Sequence, residues 1–420
     1  MSKPSIGNLT EQSAKISILK NESWMGKRFY IDEHHVLQKQ ANGLFKKGHV
    51  RVCNTPRAAD LLAVAEQLQP QEALCLGVPV NGQISAPVVT RKLKQHSSGC
   101  ITRTKDDFWF AQGEGWLLID HDTKELPDPV KASLEAFGGA IGALTTIWPE
   151  LERADYLIRP SSSAGVYMEG CEPADAGGFH MFVRLANARD IPQALQTLQS
   201  KCWEQGLAYH QISKSGQLLE RSILDVSVGS PERLIFTAAP MLSAGVLRRP
   251  PPTVCHDGGA IGAPLGPQSL LWSRQRDINR QQSKPAAEQR RDVFLDECIE
   301  SRMCDHGETY DKAASIVKAR VIHGYLYDDD SLELPSGRSI RVADLLDRVK
   351  PGDVVACADP VEGREYNPTA AAVIWQAPHP SPALVSHAHG LVRVFTFARF
   401  EPFSNDIRGL DNDVENTRSR

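Results

Sequence analysis

Three stretches of this chain alternate apolar and polar residues, and each carries a side chain suited to a cation or a phosphate. They are 116–122 (WLLIDHD), 177–185 (GGFHMFVRL) and 223–236 (ILDVSVGSPERLIF). Successive side chains of a strand point to opposite faces, so residues two apart share one. The pattern predicts a strand in each stretch, with Asp120 and Asp122 on one face of the first. In the second, His180, Phe182 and Arg184 share a face, and Phe179, Met181, Val183 and Leu185 the other. That predicts a buried apolar face and a polar face turned to solvent or ligand. In the third, Ile223, Asp225 and Ser227 alternate with Leu224, Val226 and Val228, and a separate run begins at Arg233.

These residue types suit one chemistry. Joining a nucleoside triphosphate to a 3′-hydroxyl uses two divalent cations, Mg2+ or Mn2+, and carboxylates hold such hard ions. Asp120, Asp122 and Asp225 are the candidate metal ligands and catalytic residues; His180, Arg233, Ser161 and Ser163 are the candidates for binding the nucleotide. Arg233 offers a planar fork for phosphate oxygens, and Ser161, Ser162 and Ser163, ahead of Gly165, offer hydroxyl and backbone donors. Each piece alone has an ordinary alternative: a turn or helix cap for Asp-x-Asp, a satisfied core histidine, a surface ion pair for the arginine, a plain loop for the serines. The order and the alternation together carry the reading.

The arrangement resembles the archaeo-eukaryotic primase superfamily, and within it the primase-polymerases of phages, plasmids and integrated elements. The family's three motifs read here as Ile119-Asp120-His121-Asp122, Gly178-Phe179-His180 and Leu224-Asp225. The stretches SSSAGVY and DVSVGSPERLIF, with trailing Pro240, resemble the mobile-element branch. The resemblance implies an α+β fold whose catalytic core is an antiparallel sheet like that of RNA-recognition domains, covered by helices. It implies DNA primase-polymerase activity in replication of a mobile element: template-directed transfer from NTP or dNTP onto a primer on single-stranded DNA. The position two before His180 is often serine in that family and is Gly178 here, so a hydroxyl for the phosphates must come from Ser161–Ser163 or elsewhere.

Composition agrees with a soluble cytoplasmic enzyme. The 420 residues, 41% hydrophobic, suffice for one large domain or two ordinary ones. No apolar run nears the roughly 18 residues of a membrane span, and the N-terminus lacks the apolar core of a secretory signal. Nine cysteines without a Cys-x-x-Cys pair argue against a disulfide framework and a zinc ribbon. Cys298, Cys304 and His306 fit no standard zinc spacing and read as ordinary thiols in a helix and its following turn.

A net charge of −4 gives no global sign of a nucleic-acid binder. Residues 89–105, however, hold five basic residues and no acidic one, immediately before the first aspartate strand. Arg91, Lys92, Lys94, Arg103 and Lys105 are therefore the candidate nucleic-acid contacts, with the solvated loop as the ordinary alternative. Trp109 and Phe110 read as core aromatics, with stacking on bases as the alternative.

The chain divides by composition into an N-terminal mixed α/β module of the catalytic domain (1–110), the catalytic core (111–245), a Pro/Gly-rich linker (246–280), a helical segment (281–323), a small β-rich C-terminal module (324–404) and a disordered tail (405–420). In the C-terminal module, His387 and His389 could ligate a metal as a His-x-His pair but read as structural or as part of a docking module. No Gly-x-x-x-x-Gly-Lys-Ser/Thr loop occurs, so any helicase acts in trans. Two other functions stay open: a metal-dependent phosphohydrolase or nuclease using the same residues on water, and a non-catalytic replication initiator that only binds DNA.

Overall fold

The structure is a computed structural model describing residues 13–43, 45–94, 98–123, 126–173, 177–266, 270–375 and 381–398, without the side chain of Lys92. The tail expected from 405 lies outside them. The chain is mixed α+β and forms two compact units: residues 1–210 with 220–281, and residues 211–219 with 282–420. All three aspartates and His180 lie in the first.

That unit is built around a four-stranded sheet. Strand Gly115–His121 pairs with Phe179–Leu185, which pairs with Tyr156–Pro160, which pairs with Val254–His256, every pairing antiparallel. Helix Ile191–Glu204 contributes Ala194, Leu195, Leu198 and Cys202 to the same core, at the i, i+3, i+4 spacing of one helical face. The stretch after Pro127 forms two helices, Asp128–Ala136 and Ala140–Ile147. Gly138 and Gly139 separate them at φ of 74° and 100°, a conformation that glycine adopts readily.

The N-terminal segment folds onto this core. Its five-stranded sheet includes Lys15–Asn21, Lys47–Asn54 and Glu72–Cys75. Trp116, on the same face of its strand as Asp120, donates its indole N–H to Thr55, 2.9 Å to the hydroxyl. Ile16, Ile18, Leu61 and Leu74 join Trp116 and Leu118 in one cluster.

This packing corrects the expectation of one buried and one open face for Phe179–Leu185. His180, Met181, Phe182, Val183 and Leu185 are all buried, because the N-terminal segment also supplies apolar cover. Arg184 is carried inside by ion pairs with Glu114 at 3.2 Å and the buried Asp155 at 3.1 Å. Asp155 also accepts the Ala58 N–H at the start of helix Ala58–Glu66.

The Pro/Gly-rich stretch after 245 is a second correction, since it belongs to the folded unit. Val246–Arg248 pairs with Val166–Met168, Val254–His256 forms the sheet edge, and Ile261 is buried in the core. Prolines are compatible with an edge strand, where an N–H turned away from the sheet need not be supplied. The helix expected from 281 begins at Leu271 and runs to His306. Gly307, at φ 63°, ends it.

In the second unit, a five-stranded sheet is formed by Tyr325–Tyr327, Arg393–Ala398, Ala383–Ser386, Ala371–Ile374 and Val354–Cys357, in that spatial order. Ser331–Glu333 and Ser339–Arg341 form the small hairpin around Pro335-Ser336-Gly337. His389 places Nε2 3.2 Å from the Glu362 carboxylate and donates its backbone N–H to the Tyr366 hydroxyl at 2.7 Å. Glu362 also accepts the Ser215 hydroxyl at 2.7 Å.

Candidate functional site

One row across the central sheet carries three kinds of polar group. Asp120 lies opposite His180, and His180 lies opposite Arg159. Residues directly opposite in a ladder share a face, so a carboxylate, an imidazole and a guanidinium are set side by side by strand register alone. His180 Nε2 is 3.5 Å from Asp120 Oδ1. Burial, then the charges of Lys27 and Arg159, push the imidazole down to about 4, so it is neutral near pH 7 and this contact is not an ion pair there. Nδ1 of His180 is buried without a hydrogen-bond partner.

Asp225 is brought to the row by the strand end. Its backbone N–H donates to the Asp120 carbonyl at 3.0 Å. His121, whose ring is on the opposite face, lies with Nδ1 2.7 Å from the Ile223 carbonyl. A carbonyl only accepts, so Nδ1 carries the proton. These two bonds hold residues 223–225 beside Asp120 without a strand, which corrects the expected third strand. Val226–Val228 is a short 3-10 turn instead, with Asp225 as its cap, accepting from the N–H and the hydroxyl of Ser227, both at 2.8 Å. The run at Arg233 is likewise a loop joined by one bridge, Ile235 to Leu74.

The acids act on one another electrostatically. Asp120 is pushed up to about 6, by burial first, then by Asp225 and Asp122, while Lys27 and Arg233 pull the other way. Asp122 lies just past the strand end and is exposed, as is Asp225. Asp120, with Asp225 and Asp122 acting on it, and the oxygen donors of all three fit a hard divalent cation in chemistry and in charge. The side chains are not drawn into a ligand cage: among the described residues no group of three or more His, Cys, Asp or Glu side chains stands ready to hold a metal.

The serine loop borders the row, following directly from Tyr156–Pro160. The Ser161 N–H donates to the Gly178 carbonyl at 2.9 Å, and the Ser161 and Ser163 hydroxyls lie 3.3 Å apart. Arg248 grips the loop from below, donating from Nε to the Ala164 carbonyl and from Nη2 to the Ser161 carbonyl, both at 3.1 Å. Ser162 Oγ is buried without a partner. Gly178 is fixed by close approach: a Cβ there would stand 2.1 Å from the His121 carbonyl oxygen. A serine there requires the backbone to shift.

Arg233 is exposed on a loop pinned to strand Glu72–Cys75 by paired backbone bonds between Ile235 and Leu74, at 3.1 and 2.8 Å. Arg103 supports the same loop, donating to the Glu232 carbonyl at 3.1 Å. The other members of the basic run are differently placed. Arg91 pairs with Asp106 at 3.3 Å and Lys94 with Asp107 at 2.7 Å, so acids just beyond the run neutralise part of it. Lys105 is exposed, and the Lys92 side chain lies outside the described residues. Phe110 is buried as expected, whereas Trp109 is 40% exposed, with the Arg189 guanidinium 5.3 Å from its ring centroid. The structure thus gathers Asp120, Asp122, Asp225, His180 and Arg233, with the serine loop alongside, and it adds Lys27, His121, Arg159 and Arg248.

Compared with protein-family models, curated proteins and solved structures, the chain finds no match.

Proposed function

We propose that this chain is a DNA primase-polymerase of the archaeo-eukaryotic type, transferring nucleotides from NTP or dNTP onto a primer on a single-stranded DNA template. The observation that carries the proposal is the sheet row that sets Asp120 opposite the buried His180, with the Asp225 N–H on the Asp120 carbonyl bringing a second carboxylate to the same place. Such a concentration of opposed carboxylates is unfavourable for folding and is compensated by bound cations. The antiparallel sheet, with a helix in its core, suits the core of that superfamily.

In this reading Asp120, Asp122 and Asp225 would hold two Mg2+ or Mn2+ ions, which would supply an acidified 3′-hydroxyl and a grip on the triphosphate. His180, neutral, would donate to a phosphate oxygen. Ser161, Ser163 and Arg233 add donors along the same edge, and Arg233 stabilises charge that builds on the leaving pyrophosphate. Catalysis then rests on positioning and charge, with no covalent enzyme intermediate.

The test is incorporation of labelled nucleotides on single-stranded DNA with Mg2+ or Mn2+, with and without a primer, for wild type and the double variant Asp120→Ala/Asp122→Ala. Metal-dependent products lost in the variant support the proposal. No synthesis by wild type, with DNA binding intact in the variant, supports the initiator reading, which the engagement of both Asp225 oxygens by Ser227 favours.

A further inference from the structure

Lys27 lies in strand Gly26–Ile31, which forms a hairpin with Leu37–Asn42. By strand alternation Lys27, Phe29 and Ile31 share one face, and Arg28 and Tyr30, both exposed, share the other. The inner face is apolar at its other positions: Phe29 is buried with Val166 and Val246, and Ile31 packs against them. Val166 and Val246 belong to the strand pair that continues from the serine loop. The hairpin is therefore docked on the strands beside the site, with a lysine where its pattern calls for an apolar residue.

That lysine is half-buried and donates from Nζ to the Ser163 hydroxyl at 3.2 Å. Its charge is felt at both Asp120 and His180. Arg248 donates to two loop carbonyls and Arg159 bonds the Thr237 hydroxyl at 3.4 Å, so these guanidiniums are engaged in shaping the site. Lys27 is the flexible cation of the group, a point charge on a long stem that can follow a phosphate.

We infer that Lys27 binds the terminal phosphates of the incoming nucleoside triphosphate, with Ser163 among its resting partners, and that it makes the site prefer triphosphates to diphosphates. This rests on the nucleotidyl-transfer reading. A charge-assisted contact of this kind accounts for about 10- to 100-fold in affinity.

The test compares wild type, Lys27→Met and Lys27→Arg in the full chain, using binding of inorganic tripolyphosphate with Mg2+ and steady-state incorporation of dNTPs. For Lys27→Met the expected result is a KM for dNTP raised about 10- to 100-fold and a tripolyphosphate affinity lowered to match, with kcat changed far less. The preference for triphosphate over diphosphate should shrink in parallel. Lys27→Arg, which keeps the charge, should recover most of the KM and reports on the role even if the Met variant folds poorly. Wild type that binds tripolyphosphate while both variants match its affinity and KM overturns the role of Lys27 alone. Wild type that binds no tripolyphosphate and incorporates no nucleotide overturns the nucleotidyl-transfer reading with it.

Discussion

The backbone N–H of Asp225 donates to the carbonyl oxygen of Asp120 at 3.0 Å, so two acidic residues far apart in the chain are joined by main chain rather than by their side chains. Their carboxylates are free to repel, and that repulsion, added to burial, raises Asp120. In the proposed reading, such a site trades stability for readiness to bind a cation.

Replacing Asp120 by asparagine separates the two roles. The folded protein holds the Asp120 proton more tightly than the unfolded chain does, so ionising it costs stability as pH rises from about 4 through about 6. With a third of the side chain exposed, Asp120→Asn should stabilise the metal-free protein at pH 7.5 by roughly 1–2 kcal/mol, about 1–4 °C in Tm, while abolishing incorporation. Mg2+ should raise the wild-type Tm more than that of the variant. Equal melting with EDTA across pH 4 to 8 would show that Asp120 is not strained.

His180 acts in the opposite sense. Its pKa lies below that of an exposed histidine, so the folded protein binds its proton less well, and stability falls as pH drops from about 6.5 through about 4. Thermal melts of wild type and His180→Gln over that range should show a shallower acid limb in the variant. Parallel curves would count against a buried neutral imidazole.

Gly178→Ser would install the residue common in the resembled family, yet the structure leaves it no room. A Cβ would stand 2.1 Å from the His121 carbonyl oxygen, in a place where backbone has to move. The expected cost is roughly 2–4 kcal/mol, read by denaturant unfolding, with loss of activity. An unfolding midpoint unchanged from wild type would refute the close approach.

His121→Phe keeps the ring packing on Phe179, whose centroid is 4.8 Å away, and removes the proton given to Ile223. A buried carbonyl without its donor costs about 1–3 kcal/mol. Activity should fall with metal dependence unchanged, because His121 holds the Asp225 segment rather than a ligand. A raised requirement for Mg2+ alone, with normal stability, would instead make it a metal ligand.

Members of the basic run should differ in their effects on binding to single-stranded DNA. Arg91→Ala with Lys94→Ala should lower affinity and reduce the salt slope by about 1.4, at roughly 0.7 per phosphate, and Asp106→Asn should raise affinity. Arg103→Met should leave the slope unchanged and destabilise the Arg233 loop, since its guanidinium is bonded to Glu232. A slope lowered by Arg103→Met would place it on the DNA.

The strands of Asp120 and His180 were legible in sequence because alternation is a local property, fixed by the direction in which successive side chains leave the backbone. The expectation that Asp120, Asp122, His180 and Asp225 serve one site came from the order of the motifs, and the structure sets Asp120 opposite His180 with the Asp225 backbone bonded to it. The third segment was misread as a strand because residues 223–228 alternate just as a strand does. Its conformation is set by Asp120 and His121, which reach it through bonds no local pattern encodes. The covering of both faces of Phe179–Leu185, and the edge strand made by the proline-rich stretch, likewise depend on which distant segment docks there. Lys27 left one trace, a cation in an otherwise apolar alternation with Phe29 and Ile31, but its meeting with Ser163 is a tertiary fact. Sequence by itself determined which residues could face a ligand; only the packed structure decided which of them meet, because register and docking are settled by burial summed over the whole core.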